Sequence, residues 1–206
     1  MAKFLSKILA KQLSHPEGFL GGRILRLLNK KNSIIIKETL KLITINDETK
    51  FLDIGYGGGL SFELIEANNA APKMFGLELS EKATTFAAKK FKNQIEAGSL
   101  TLKQGNVTAI PFKDESFNAI ISINTVYFWD DVEAAMREIK RVLKPDGTFV
   151  LSLREKETLA KFKPTEFVFH HYATDDLIQA FENTGFKVAL HQKKDEHPFI
   201  CMQASS

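Results

Sequence analysis

The sequence predicts an α/β fold built on a mostly parallel sheet, and three observations carry that prediction. The stretch FLDIGYGGGLSFELI, Phe51 to Ile65, reads as a short apolar strand, a glycine turn and a helix start in unbroken succession. Apolar runs of strand length then alternate with helix-length amphipathic segments up to about residue 153, the pattern of right-handed crossovers between parallel strands. One of those runs, Phe117 to Ile123, is almost continuously apolar, as a strand covered by helices on both faces must be.

The chain has 206 residues, 44% hydrophobic, enough for one well-cored domain and short for two. A net charge of +3 demands no nucleic-acid partner, and a single cysteine, Cys201, rules out an internal disulfide framework and a four-cysteine zinc site. No repeat, low-complexity tract or membrane-length apolar run is present, so a cytoplasmic protein is expected.

In chain order, MAKFLSKILAKQL sets Phe4, Leu5, Ile8 and Leu9 against Lys3, Lys7 and Lys11, an amphipathic basic helix. A lid packed on the domain is the preferred reading; a membrane-surface helix and a targeting peptide are the alternatives. In SHPEGFLGGR, Pro16, Gly18, Gly21 and Gly22 break any helix and predict a mobile loop, with residues 1–32 forming a lid region ahead of a domain over 33–206. A helix over Ser33 to Ile45 is expected to be capped by Ser33 and to bury Ile34, Ile35, Leu42 and Ile45, with Asn46 and Asp47 ending it.

Four glycines, Gly55, Gly57, Gly58 and Gly59, follow the first strand, and glycine lets the main chain take positive φ and approach a ligand closely. The dinucleotide fingerprint fails because Leu60 holds its third glycine position, and the phosphate loop fails because no Lys-Ser/Thr pair follows. Asp53 at the loop entrance would repel a pyrophosphate and attract a ligand bearing an ammonium and a sulfonium. Further along, Glu78 ends a second apolar strand roughly 20 residues past the glycines, the spacing at which a carboxylate accepts ribose hydroxyls. Ser80 caps the next helix with Glu81 in its first turn, and Gly98 stands where that helix should stop. Strands are then expected at Leu100–Gln104 and Phe117–Ile123, a helix over Val132 to Leu143, and a turn through Lys144–Gly147 into a strand at Thr148–Leu153. A helix starting at Thr174 to Asp176 and ending at Gly185 leads to a hairpin of Phe186–Leu190 with Pro198–Met202.

The D-x-G-x-G-x-G series of Asp53, Gly55, Gly57 and Gly59, with KMFGLELS, LKQGNVTAIPF, DESFNAIISINTVYFWDD and VEAAMREIKRVLKPDGTFVLS, resembles the class I S-adenosylmethionine-dependent methyltransferases of the small-molecule, type 11 branch. The similarity runs from about Lys50 to Val150. It implies a Rossmann-like three-layer sandwich whose seven-stranded, mostly parallel sheet ends in an antiparallel strand, with N-terminal lid helices. It also implies S-adenosyl-L-methionine as methyl donor, S-adenosyl-L-homocysteine as product, and methyl transfer by in-line displacement. Carried over residue by residue, the cofactor site is Asp53, Gly55, Tyr56, Gly57, Gly59, Glu78, Leu79, Asn106, Val107 and Asn124. Asn106 stands where an Asp is commoner in the family, keeping an acceptor oxygen and losing a charge. His15, Phe19, Thr125, Tyr127 and Trp129 are candidates for the substrate pocket, with Phe128 beside them.

Methyl transfer from a sulfonium needs chiefly that the nucleophile be held close and in line. A hydroxyl or amine acceptor must also lose a proton, which makes His170, His171 and Tyr127 the candidate bases. The acceptor is expected to be a small molecule. The Asn/Asp-Pro-Pro-aromatic motif of enzymes that methylate base amines is absent from SINTVYF, which argues against DNA. No metal site is expected. A cofactor-binding module without activity, an RNA methyltransferase steered by the basic N-terminus and a nicotinamide oxidoreductase are the rival readings.

Overall fold

The computed structural model describes residues 21–68, 70–160, 169–193 and 198–205. The basic segment 1–13 lies outside the described residues, as do His15 and Phe19. The elements are α1 (Gly21–Leu40), β1 (Lys50–Ile54), α2 (Leu60–Glu66), β2 (Lys73–Glu78), α3 (Glu81–Lys90), α4 (Lys92–Glu96), β3 (Leu100–Gln104) and β4 (Phe117–Ile123). A 3-10 turn (Val126–Phe128) follows, then α5 (Val132–Val142), β5 (Leu143–Leu153), α6 (Lys156–Leu159), α7 (Thr174–Asn183), β6 (Lys187–Lys193) and β7 (Phe199–Ser205).

The seven strands form one sheet in the order β3-β2-β1-β4-β5-β7-β6. Strands β1 to β5 are parallel, and β7 runs antiparallel to both β5 and β6. This is the expected sheet with its antiparallel insertion. Parallel pairing brings the C-terminal ends of β1 to β5 to one edge, where ligands gather in open α/β sheets. Order reverses between β1 and β4, so the crevice opens beside Ile54.

Two apolar clusters cover the sheet. On one side Met136, Ile139, Leu177 and Phe181 from α5 and α7 pack on Leu52, Ile120 and Phe149; on the other Ile35, Phe62, Ala87 and Phe91 from α1 to α3 pack on Phe51, Ile121 and Val150. That gives the three layers.

Local expectations differ in three places. The helix expected over Ser33–Ile45 begins at Gly21 and ends at Leu40, so Ser33 is inside it rather than its cap and Gly21 and Gly22 form its first turn. Glycine costs a helix most in its interior, and these two stand at its end. The helix therefore crosses position 32. Over residues 31–40 it buries Ile35, Ile36 and Thr39, and Ile34 points outward at 39% exposure. Second, α2 buries Phe62 and Ile65 while Leu60 and Leu64 stay half-exposed. Third, Leu143–Gly147 joins β5 as an irregular stretch: Phe117 pairs with Leu143 and Ala119 with Thr148. Extra residues on one strand between two consecutive pairs are a bulge.

Candidate functional site

The site is built where β1 hands over to α2. Gly55, Gly57 and Gly59 all have positive φ, at 78°, 52° and 71°. A side chain at Gly55 would collide with Thr125 Cγ2, and one at Gly59 would lie 2.5 Å from the Phe91 ring. The glycines are thus required by the loop's path and by its packing.

Glu78 is locked across this loop. Its Oε2 accepts the Gly57 N–H at 3.1 Å and its Oε1 accepts the Ser80 N–H at 2.9 Å. Charge-assisted bonds to two amides hold the carboxylate at the end of β2. Leu79 beside it is 42% exposed, an apolar side chain open to a flat ring. Asn106, also exposed, turns its Oδ1 onto the Thr108 N–H at 3.1 Å, while Val107 is buried. A line from the glycine loop to Asn106 therefore crosses the ends of β1, β2 and β3.

Beneath the loop, Asp53 is buried and accepts a hydrogen bond from the Ser61 hydroxyl on the first turn of α2. Burial raises its carboxyl to about 7; the Ser61 bond opposes this and the Glu78 charge adds to it. Tyr56 does not face the crevice. Its ring lies across Gly76, where a Cβ would come within 2.5 Å of it, and its hydroxyl donates to Thr84 Oγ1 at 3.3 Å. Burial pushes that phenol up. Only the main chain of Tyr56 is left to meet a ligand.

On the other side of β1, Asn124 ends β4 with φ 56° and donates from Nδ2 to Asn32 Oδ1 of α1 at 3.2 Å. Thr125 is bonded to the Ser122 hydroxyl, which donates to the Ile54 carbonyl at 2.8 Å. It braces the glycine loop from below. Tyr127 and Trp129 are buried in the core, with the Tyr127 ring edge-on to Phe128 and tilted against Phe169. The Tyr127 hydroxyl accepts the Arg154 N–H at 2.7 Å and has the Arg154 carbonyl at 3.0 Å and Asn124 Oδ1 at 3.2 Å as acceptors. Burial raises this phenol well above its usual value. As placed, Tyr127 and Trp129 fill the core and Tyr127 ties β4 to β5.

His170 is exposed and held by its N–H to the Tyr127 carbonyl at 2.9 Å; His171 is half-buried beside it. Both stand at the β4 side of the crevice. A shallow groove of about 290 Å³ between β5, β6 and β7, lined by Thr148, Lys187, Val188 and Gln203 among others, lies at the opposite edge of the sheet and has no part in this site.

Sequence reasoning missed Ser61, Asn32, Lys90 and Arg154. Lys90 donates to the Gly58 carbonyl at 2.8 Å and pairs with Glu63 at 3.0 Å, binding α3 to the loop. Ser61 lies only eight residues from Asp53, but the partners of Asn32, Lys90 and Arg154 are far apart in sequence, and no local spacing signals them.

S-adenosylmethionine fits this set of residues. The positive-φ glycines leave a side-chain-free approach, the Glu78 carboxylate at the end of β2 suits hydroxyl donors and a cationic ligand, and Leu79 leaves an apolar side chain open to a flat ring. A Rossmann-like sheet with such a loop at its switch point defines an S-adenosylmethionine-dependent methyltransferase of class I.

Comparison with known proteins agrees. Residues 52–151 match the family described as methyltransferase domain. Over 180 residues the chain is 22% identical to an uncharacterized methyltransferase, YdaC of Bacillus subtilis, covering 87% of this chain and 94% of that one. It is 27% identical over 144 residues to the O-methyltransferase resE of Aspergillus sclerotiorum, covering 66% of this chain and 54% of the relative. Among solved structures, a SAM-dependent methyltransferase from Aquifex aeolicus superimposes with a TM-score of 0.72 at 19% identity, over 89% of this chain and 97% of that one. The chain is an enzyme of this class, with S-adenosylmethionine as its cofactor, and residues 52–151 carry the family's domain. Among the described residues, no helix is long and apolar enough to cross a membrane.

Proposed function

We propose that this enzyme methylates a small molecule by in-line displacement, with the acceptor lying over the C-terminal ends of β4 and β5. The observation that carries this reading is the placement of Glu78. Its carboxylate, held at the end of β2, supports a nucleoside over β2 and β3, with the reactive end of the cofactor toward β1 and β4. The cofactor supplies a methyl group already activated by its sulfonium. The protein's residues have to position: the glycine loop and Glu78 orient the donor, Leu79 and Val107 flank the adenine, Asn106 meets its amino group, and Asn124 closes the crevice toward α1.

His170 and His171 are the side chains we assign to proton removal from a hydroxyl or amine acceptor. Tyr127 is set aside for that role because its hydroxyl is engaged by Arg154 and Asn124. The name of the fungal O-methyltransferase favours a hydroxyl acceptor. A lid role for the N-terminal segment, with His15 and Phe19 over the pocket, belongs to the same proposal, as does a cytoplasmic location.

The test is transfer of label from tritiated S-adenosylmethionine. We expect label in the low-mass fraction of a cell extract and none in purified total RNA. Label in RNA would move the enzyme to the RNA class; cofactor binding without transfer to either would leave a non-catalytic module.

A further inference from the structure

We propose that Arg154 is an anion-binding residue of the acceptor site, so that the methyl acceptor carries a carboxylate or a phosphate. This rests on the cofactor reading above, because the strand order leaves the ends of β4 and β5 to the acceptor only if the nucleoside lies over β2 and β3.

Arg154 is the first residue beyond β5. Its main chain is held at both polar atoms by the Tyr127 hydroxyl, at 2.7 Å to its N–H and 3.0 Å to its carbonyl. Few residues at a strand end are fixed so closely, and the root of the side chain is therefore placed with precision beside β4.

The guanidinium, in contrast, has no acceptor among the described residues. Arg137 pairs with Glu133 at 3.4 Å, and Arg141 pairs with Glu138 and Asp114, each at 2.7 Å. The adjacent acid does not serve Arg154, since Glu155 Oε1 accepts from Gln192 Nε2 of β6 at 2.6 Å. Asp131 is spent on the Ala134 N–H as the cap of α5. Yet Arg154 is half-buried, and its charge acts on the Tyr127 phenol. A half-buried cation with no counter-charge among the described residues gains from a ligand that brings one. The planar fork of a guanidinium matches the two oxygens of a carboxylate or a phosphate.

The test uses the full-length protein saturated with S-adenosylhomocysteine and follows the Arg154 side-chain Nε–H resonance by NMR. Benzoate and phenyl phosphate are the probes, with benzamide as the neutral counterpart. We expect a saturable shift with at least one anion, the stronger identifying carboxylate or phosphate, and none with benzamide. Arg154→Ala should weaken that binding by about tenfold to a hundredfold, and Arg154→Lys should recover part of it, with S-adenosylhomocysteine affinity unchanged in both. Equal shifts with benzamide, no anion binding up to millimolar levels, or full anion affinity in the alanine variant would overturn the proposal. Loss of S-adenosylhomocysteine affinity in Arg154→Ala would also overturn it, assigning Arg154 to the cofactor. Failure of the wild type to bind S-adenosylhomocysteine at all would instead defeat the cofactor reading beneath it.

Discussion

Glu78 is held by two amides without any ligand, so in the proposed ribose-binding role its carboxylate needs little further ordering. Glu78→Ala is accordingly expected to weaken cofactor binding by about 1–3 kcal/mol, measured by calorimetric titration with S-adenosylhomocysteine. Unchanged affinity would remove Glu78 from the site. Asp53 yields a pH prediction. Its folded-state value is raised from the usual carboxylate range to about 7, so the fold favours the protonated form. Asp53's contribution to stability is complete below about pH 4 and is lost as pH rises through about 7. Asp53→Asn keeps the shape without the charge, and its stability should gain on the wild type by a few kcal/mol between pH 4 and 8. Parallel urea-unfolding curves for the two proteins across that range would contradict this. Glu78 and the glycines were legible because a local motif carries them. Ser61, Lys90 and Arg154 were not, because what defines each is a partner on another element: Asp53, Gly58 and Tyr127.

At the scale of elements, α1 shows where local reasoning fell short. Gly21 and Gly22 are helix breakers by propensity, but they sit in the first turn and the helix they begin is anchored by packing near its other end. There Thr39 Oγ1 donates to the Ile35 carbonyl at 2.7 Å and lies 2.7 Å from Ser152 Oγ of β5, with the Cys201 thiol of β7 against both hydroxyls. Such a buried polar joint costs more to break on one side than to remove whole. Thr39→Val should destabilise the protein by about 1–3 kcal/mol, and adding Ser152→Ala should recover part of that loss. Additive losses in urea unfolding would show that the two hydroxyls do not act together. By contrast, β4 has the boundaries that its apolar run predicts, because a strand covered on both faces writes its burial directly into sequence. The irregular start of β5 escaped notice since Lys144–Gly147 reads locally as a turn.

For the whole molecule, alternation of strand and helix was enough to predict the parallel sheet, while the antiparallel place of β7 came from family resemblance alone. Pairing order is a property of contacts between distant segments, such as Leu151 with Met202, that no window of sequence contains. The expected pocket floor was only partly legible for the same reason: an aromatic run after β4 reads alike whether it lines a cavity or fills a core, and Tyr127 and Trp129 fill the core. The proposed function divides the molecule into a donor half over β1 to β3 and an acceptor half over β4 and β5, and it rests first on S-adenosylmethionine being the ligand. Calorimetric titration of the wild type with S-adenosylmethionine, with NAD as the control, tests that arrangement most directly. Saturable binding of S-adenosylmethionine at micromolar concentrations without NAD binding is the predicted result. NAD binding in its place, or no binding of S-adenosylmethionine, would contradict it.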